Sequence, residues 1–390
     1  MGERLRADYG KGPELQAPRT RAMLLSSANP IQRHFDFARR TERAVAGWVV
    51  REEAIMGTAI RVELWAPDRR SGEAAAAAVM DEMHRIDRAM SPHKPTSELC
   101  RINREAARQP VVLSEEMYRL VERAIAFSRL SDGAFDISYA AVGQLYDYRQ
   151  RVRPSADALK AAQANVGWQQ LKLNPQARTL RFGREGMRID LGGFAKGHAV
   201  DNAVALLARR GVKHAHVSAG GDSRVLGDRR GRPWNVAIRD PRRAGEMVAV
   251  LPLEDVSIST SGDYERFFDD GAERVHHLID PTTGHSPAGV HSVTILASDG
   301  LTSEALSKAV FVLGVARGLA LVESLAGTDA VIVDAQGVLH ASSGLLQGLS
   351  ETSAAAAPGD SRHAPLSELQ VLDSQRAELD AHEVAEQACQ

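Results

Sequence analysis

The chain has 390 residues, 44% of them hydrophobic and 25% charged, with a formal net charge of −2. That length can bury a sizeable core in one large domain or two intimately packed ones, and the near-neutral balance excludes a global basic field for nucleic acid. The two cysteines, Cys100 and Cys389, lie far apart, which argues against a structural disulfide and excludes metal-type cysteine spacing.

In chain order, residues 1–45 are rich in Arg, Pro and polar residues without a sustained period, which predicts a flexible N-terminal segment. Arg39-Arg40 invites an export reading, but Glu42 and Arg43 follow at once. The apolar run Ala44 to Val50 is then cut by Arg51-Glu52-Glu53 and lacks a cleavage site. No stretch approaches the roughly 18 apolar residues of a membrane helix, so the expectation is a cytoplasmic chain without a transmembrane segment. Thr58 to Leu64 alternates as an amphipathic strand, and Ser71 to Met90 reads as a helix that Ser71 can cap. Ser114 caps a second helix with the stripe Met117, Leu120, Val121 and Ala124. A third runs from about Ala195 to Arg210 and is closed by Gly211. His214 to Val217, Asn235 to Arg239, Val248 to Leu253 and His291 to Leu296 read as strands, Thr302 to Leu313 and Val315 to Leu325 as helices. Asp334-Ala335-Gln336-Gly337 turns between two short strands. From residue 350 to 390 Ser, Ala, Pro, Gly and Asp predict a flexible C-terminal tail with a marginal helix from Leu366 to Glu386. Early helices and later strands joined by tight turns indicate an α+β fold over 46–349.

The run Ile189-Asp190-Leu191-Gly192-Gly193-Phe194-Ala195-Lys196-Gly197 carries the most chemistry. Paired glycines permit a sharp turn, and the following helix offers unpaired N–H groups and a positive dipole end beside the Lys196 charge, a combination suited to phosphate. It is neither a Walker loop nor a G-x-G-x-x-G turn. Gly133-Ala134-Phe135-Asp136 precedes it. Ser218-Ala219-Gly220-Gly221-Asp222, then Ser259-Thr260-Ser261-Gly262-Asp263-Tyr264-Glu265-Arg266, then His277-Leu278-Ile279-Asp280-Pro281-Thr282-Thr283-Gly284 follow.

In this order the segments, from about Met56 to Gly314, resemble the ApbE family, the FAD:protein FMN transferases. The resemblance implies mixed, largely antiparallel sheets with packed helices, FAD as substrate, and transfer of FMN to a Thr or Ser hydroxyl of a target flavoprotein with release of AMP. It places FAD against Met56, Ala134, Phe135, Asp136, Asp190, Lys196, the backbone near Leu278, and His93, where an imidazole stands in place of the usual aromatic. Taken as residues alone, Phe135 is equally a core aromatic, Asp190 an aspartate bonding the glycine turn, and Lys196 a solvated lysine. The dipole disfavours a cation at a helix start, which speaks for an anionic partner of Lys196.

His277 is the candidate general base, since a neutral imidazole can take a hydroxyl proton, and His276 is its rival. On a strand the two face opposite sides, so one alone enters the site. Asp263 to Arg266 read as a structural turn about as readily as a binding cluster. The resemblance implies Mg²⁺ on the Gly193 carbonyl and on an Asp and a Thr four residues apart. Here those two positions are Glu304 and Lys308, with Ser307 between them. Glu304 can ligate and is grouped with His277 as catalytic, whereas an ammonium repels a cation. Three arrangements remain open: a Glu304–Lys308 helix salt bridge, Mg²⁺ on Glu304, Gly193 and Ser307 with Lys308 turned to phosphate, or Lys308 in part of the ion's role. Retained Mg²⁺ is the favoured expectation. The implied partner carries a D-x-x-[ST]-G-A-[ST]-like acceptor; Asp280 to Ser286 mimics this only by coincidence. FAD hydrolysis to FMN and AMP, or FAD binding without catalysis, are the alternatives.

Overall fold

The first hairpin shows how local chemistry sets register. The computed structural model describes residues 46–271 and 273–346. Strand β1 (Gly47–Ile55) pairs antiparallel with β2 (Thr58–Ala66) through the two-residue turn Met56-Gly57, which closes Ile55 against Thr58. Both turn residues have positive φ, 57° and 72°, the geometry that matches strand twist. Gly47 to Val50, the end of the apolar run weighed as an export segment, are the start of an edge strand.

Helix α1 (Arg69–Met90) buries Val79, Met83, Ile86 and Met90. Its cap is Asp68, not Ser71: Ser71 lies in the first turn and donates its N–H to Asp68 Oδ1 at 2.9 Å. Helix α2 (Glu98–Glu105) leads to β3 (Val111–Val112) and α3 (Glu115–Leu130), which Ser114 caps as expected. Short helices α4 (Ala140–Gly143) and α5 (Ala156–Gln163) precede β4 (Leu171–Asn174) and β5 (Thr179–Phe182). Helix α6 (Ala195–Arg209) ends at Gly211, whose φ of 81° suits that position. Then follow β6 (Ala215–Ala219), β7 (Asp222–Leu226), β8 (Trp234–Arg239), β9 (Met247–Leu253), β10 (Ser257–Gly262), β11 (Phe267–Asp270), β12 (Glu273–His276) and β13 (Val290–Ala297). Helix α7 (Gly300–Glu323), β14 (Asp329–Asp334) and β15 (Leu339–Ala341) close the described chain. At Gly314 the α7 backbone leaves helical geometry with φ 76°, so it is two helical segments, as the sequence suggests.

One sheet in the order β1-β2-β6-β7-β10-β13-β14-β15 organises these elements, and every pairing in it is antiparallel. Helices α1, α6 and α7 pack on one face, joining Val62, Val217, Ile295 and Ile332 in the main core. The hairpin β8–β9 covers part of the other with Trp234, Ile238, Leu251 and Leu253 against Val225, Ile258, Leu296 and Val331. The alternation along β13 and β14 supplies both cores at once. Fully buried Phe194 and Phe311 each contribute about 1.5–3 kcal/mol through apolar burial.

Contrary to the expectation that no stretch is apolar enough, α7 is long and apolar enough to cross a membrane, with mean hydropathy 1.8. In this fold Ala305, Leu306, Ala309, Val310 and Phe311 are buried in the core, and α7 packs on β10 and β13. The expected segments 1–45 and 350–390, with the helix from Leu366 to Glu386, lie outside the described residues.

Candidate functional site

A four-charge cluster forms where the start of α6 meets α7 and the strands β7 and β10. The approach depends on two glycines: a Cβ on Gly197 would lie 2.2 Å from the Gly300 carbonyl oxygen. This close crossing lets Glu304 reach the beginning of α6. Its Oε2 accepts the Gly197 N–H at 2.7 Å and its Oε1 accepts from the Lys196 ammonium at 2.7 Å. The N-cap residue of α6, Phe194, gives no side-chain cap, so a carboxylate 107 residues away does that work. The helix start expected to receive phosphate thus already holds an internal anion at Gly197.

Lys196 also donates to Asp222 Oδ2. Asp222 is the first residue of β7, and its Oδ1 accepts the Ser259 hydroxyl at 2.5 Å. Ser259 and Ser261 project from the same face of β10 and place their hydroxyls 3.1 and 2.9 Å from Ser307 Oγ on α7. Lys308 donates to Ser307 Oγ at 3.3 Å and lies 3.5 Å from Glu304 Oε1 and 3.9 Å from Asp222 Oδ1. The carboxylates are the closed end of this cluster, with 3% and 0% of their side chains exposed, while Lys196 keeps 24% and Lys308 19%. What an incoming ligand meets is therefore the ammonium side.

Burial opposes charge at each of the four groups. At Asp222 it is outweighed by Lys196 and then Lys308, which hold the carboxyl below its ordinary value. At Lys196 burial is likewise outweighed, by Asp222 and Glu304, and the ammonium is raised. At Glu304 burial and the Asp222 charge push the carboxyl up against both lysines. Burial brings Lys308 down despite the two carboxylates.

Of the two histidines, one alone lies on a strand. His276 ends β12, is buried with its ring edge against Phe311, and its Nε2–H donates to the Pro287 carbonyl at 3.1 Å. His277 lies just past the strand. Its backbone N–H donates to the Arg266 carbonyl at 3.0 Å, and its buried Nδ1, like that of His276, has no partner among the described residues. Burial, then the positive charges of Arg266, His276, Lys308 and Lys196, push its pKa down to about 3. It is therefore a neutral ring beside the lysine pair.

Arg266 extends the positive lining. Its guanidinium lies within electrostatic reach of His277, Asp190 and Tyr139, and 3.9 Å from where a Cβ on Gly57 would stand. The Met56 turn thus borders the same opening. Asp190 follows Ile189, whose backbone is clamped by Asn103 through bonds of 2.8 and 2.9 Å. Asp190 Oδ1 accepts the Gly192 N–H at 2.5 Å, so part of this carboxylate does serve the glycine turn. Burial raises its pKa against exposed His93, Arg188 and Arg266.

Other predicted contacts stand differently. Phe135 is a core aromatic, packed at 6.2 Å from Phe127 and 5.4 Å from Phe194 between ring centroids. Asp136 accepts from the Ser138 N–H and hydroxyl with one oxygen and from the Trp168 N–H with the other, at 2.7–2.8 Å. Those bonds commit its carboxylate to the loop. Leu278 is buried, consistent with a backbone role alone. Asp263 pairs with Arg242 and His291 and is structural.

The four positions proposed for a metal do come together, but not as a ligand set. Lys308 passes over Gly193, its Cε 3.4 Å from where a Gly193 Cβ would stand, and its ammonium enters among Ser307, Glu304 and Asp222 oxygens. Both Glu304 oxygens already serve Lys196 and Gly197. Mg²⁺ requires oxygens at about 2.0–2.1 Å and tolerates no cation in their midst. As arranged, these residues do not fit a divalent ion, and Glu304 is wholly buried. Sequence reasoning passed over Asp222, Ser259 and Ser261 as participants, and left Arg266 between a structural turn and a binding cluster. Each sits in a motif noticed there, and the period of two along β10 was the available signal for the serines.

Residues 56–332 match the family model described as the ApbE family, a span that contains every candidate site residue. An FAD:protein FMN transferase of Treponema pallidum (strain Nichols) is 34% identical over 316 residues, which cover 76% of this chain and 87% of that protein. One from Klebsiella pneumoniae (strain 342) is 28% identical over 283 residues, covering 72% and 87%. The solved ApbE protein of Thermotoga maritima superposes with a TM-score of 0.72 at 31% identity, covering 77% of this chain and 99% of that one. The flavin transferase ApbE of Vibrio cholerae gives 0.70 at 28% identity, covering 78% and 99%.

Proposed function

Because the chain belongs to the ApbE family and is an FAD:protein FMN transferase, we infer that it moves FMN onto a Thr or Ser hydroxyl of a target flavoprotein through a phosphoester bond. The acceptor hydroxyl attacks the phosphorus of the FMN half of FAD. The bond from that phosphorus to the anhydride oxygen breaks, and AMP leaves with the electron pair. His277 takes the hydroxyl proton, while Lys196 and Lys308 face the pyrophosphate and Arg266 adds positive charge beside His277. In a water-poor site these fixed charges stabilise the transferring phosphoryl more than they would in water. The target is a protein with a D-x-x-[ST]-G-A-[ST]-like sequence. Mg²⁺, implied by the family resemblance, enters no step in this reading because Lys308 stands among its expected donors.

The observation that carries this reading is His277: an imidazole that burial keeps neutral, within electrostatic reach of Arg266 and of two lysines held by buried carboxylates. The test mixes the full chain with FAD and a peptide carrying the acceptor sequence, then follows peptide mass and AMP. One FMN gained per AMP released is expected. Free FMN with unmodified peptide would replace transfer by hydrolysis, and FAD binding without AMP would end the catalytic reading.

A further inference from the structure

The placement of Lys308 is more than a helix salt bridge. Glu304 needs no second cation: Lys196 and the Gly197 N–H already meet both its oxygens at 2.7 Å, and Lys308 stands off at 3.5 Å. The Lys308 ammonium is instead shared among three oxygens of three residues, at 3.3, 3.5 and 3.9 Å. An ammonium carries three donors, and contacts this long leave it free to turn donors toward a ligand. Its stem covers Gly193, and a side chain there would contact Lys308 Cε at 3.4 Å. The residue thus occupies the middle of an oxygen cluster, blocks the backbone beside it, and keeps its charge on the open side.

Charge counting points the same way. Two buried carboxylates are balanced by two ammoniums, and the hydroxyls of Ser259, Ser261 and Ser307 complete the polar lining. A divalent ion added to that set would lie against Lys308 with no unshared carboxylate oxygen of Glu304 to receive it. We propose that Lys308 is a tethered cation that takes the place of a divalent ion against the FAD pyrophosphate, so that transfer by this chain needs no bound metal. The proposal rests on the transferase reading for its substrate. In the step itself the ammonium donates hydrogen bonds to pyrophosphate oxygens while the bond to AMP breaks, and it neither gains nor loses a proton.

Two measurements on the metal-stripped full chain decide it. First, Mn²⁺ is titrated into the protein–FAD complex and into FAD alone, with free Mn²⁺ read by electron paramagnetic resonance. The expected result is no binding beyond that of FAD alone; one additional Mn²⁺ held per protein overturns the proposal. Second, AMP release with the acceptor peptide is compared in EDTA and in Mg²⁺. The parent should change by less than about twofold, whereas Lys308→Thr should fall at least about tenfold in EDTA and recover with Mg²⁺. A parent that stops in EDTA, or a Lys308→Thr variant as active as the parent without metal, overturns it. Absence of transfer under every condition would defeat the transferase reading, and the Mn²⁺ titration would still judge Lys308, whether or not the variant folds.

Discussion

Replacing Glu304 by Gln removes one of two negative charges from the closed end of the cluster. The parent sets Lys196 and Lys308 against Asp222 and Glu304. The variant leaves two ammoniums facing one carboxylate, and with its single acceptor oxygen kept on the Gly197 N–H it turns an NH2 donor toward the Lys196 ammonium. Neutralising one partner of a buried pair costs about 3–5 kcal/mol, and since glutamine can still accept the Gly197 N–H, about 3 kcal/mol is expected. Lys308→Met unbalances the cluster in the other direction, at a lower cost because that side chain is 19% exposed. The double variant restores balance with the Lys196–Asp222 pair intact. It should therefore be more stable than the sum of the singles predicts, by a coupling of about 1–3 kcal/mol. Urea unfolding of the full chain at pH 7 measures all four corners, read from midpoints at constant m value. If Glu304→Gln lies within about 0.5 kcal/mol of the parent, or the two changes simply add, Glu304 is not an ionised member of the cluster.

His277→Asn should keep FAD binding and lose transfer by about 10²–10⁴-fold, in single-turnover assays against the parent; the same loss in His276→Asn instead would move the base by one residue. With the His277 pKa pushed down to about 3, the base is neutral above that value and is lost only as pH falls through it. The acid limb of kcat/KM should accordingly lie below pH 5, and a limb centred near 6.5 would show a solvated imidazole. Gly197→Ala places a methyl 2.2 Å from the Gly300 carbonyl and should cost at least about 1–3 kcal/mol in thermal or urea unfolding, the range for overpacking. Asp136→Ala should lower stability by about 1–3 kcal/mol through the unpaired Trp168 and Ser138 donors. FAD affinity in the refolded fraction should stay unchanged, and a selective loss of affinity would return Asp136 to the ligand.

Much of this protein is written locally. The Ser114 cap, the Gly211 stop, the break of α7 at Gly314 and the alternation of β2 follow from interactions within a few residues, which a single sequence displays. So do the motifs that mark the family, because a glycine turn or a His-x-x-Asp-Pro run keeps its chemistry together along the chain. Tertiary structure decided the partners. Lys196 called for an anion, but that the anion is Asp222 and Glu304, 26 and 108 residues away, depends on β7 lying beside β10 and on α7 crossing α6 at paired glycines. Asp136 has the composition of a nucleotide contact, and a Trp168 N–H 32 residues on withdraws it. His276 and His277 are indistinguishable as letters; in the fold His276 ends β12 against Phe311, whereas His277 follows the strand within electrostatic reach of Arg266 and the lysines. Charges and hydrogen bonds act over a few ångströms of space whatever the separation along the chain, so strand order and helix crossings determine which groups they join.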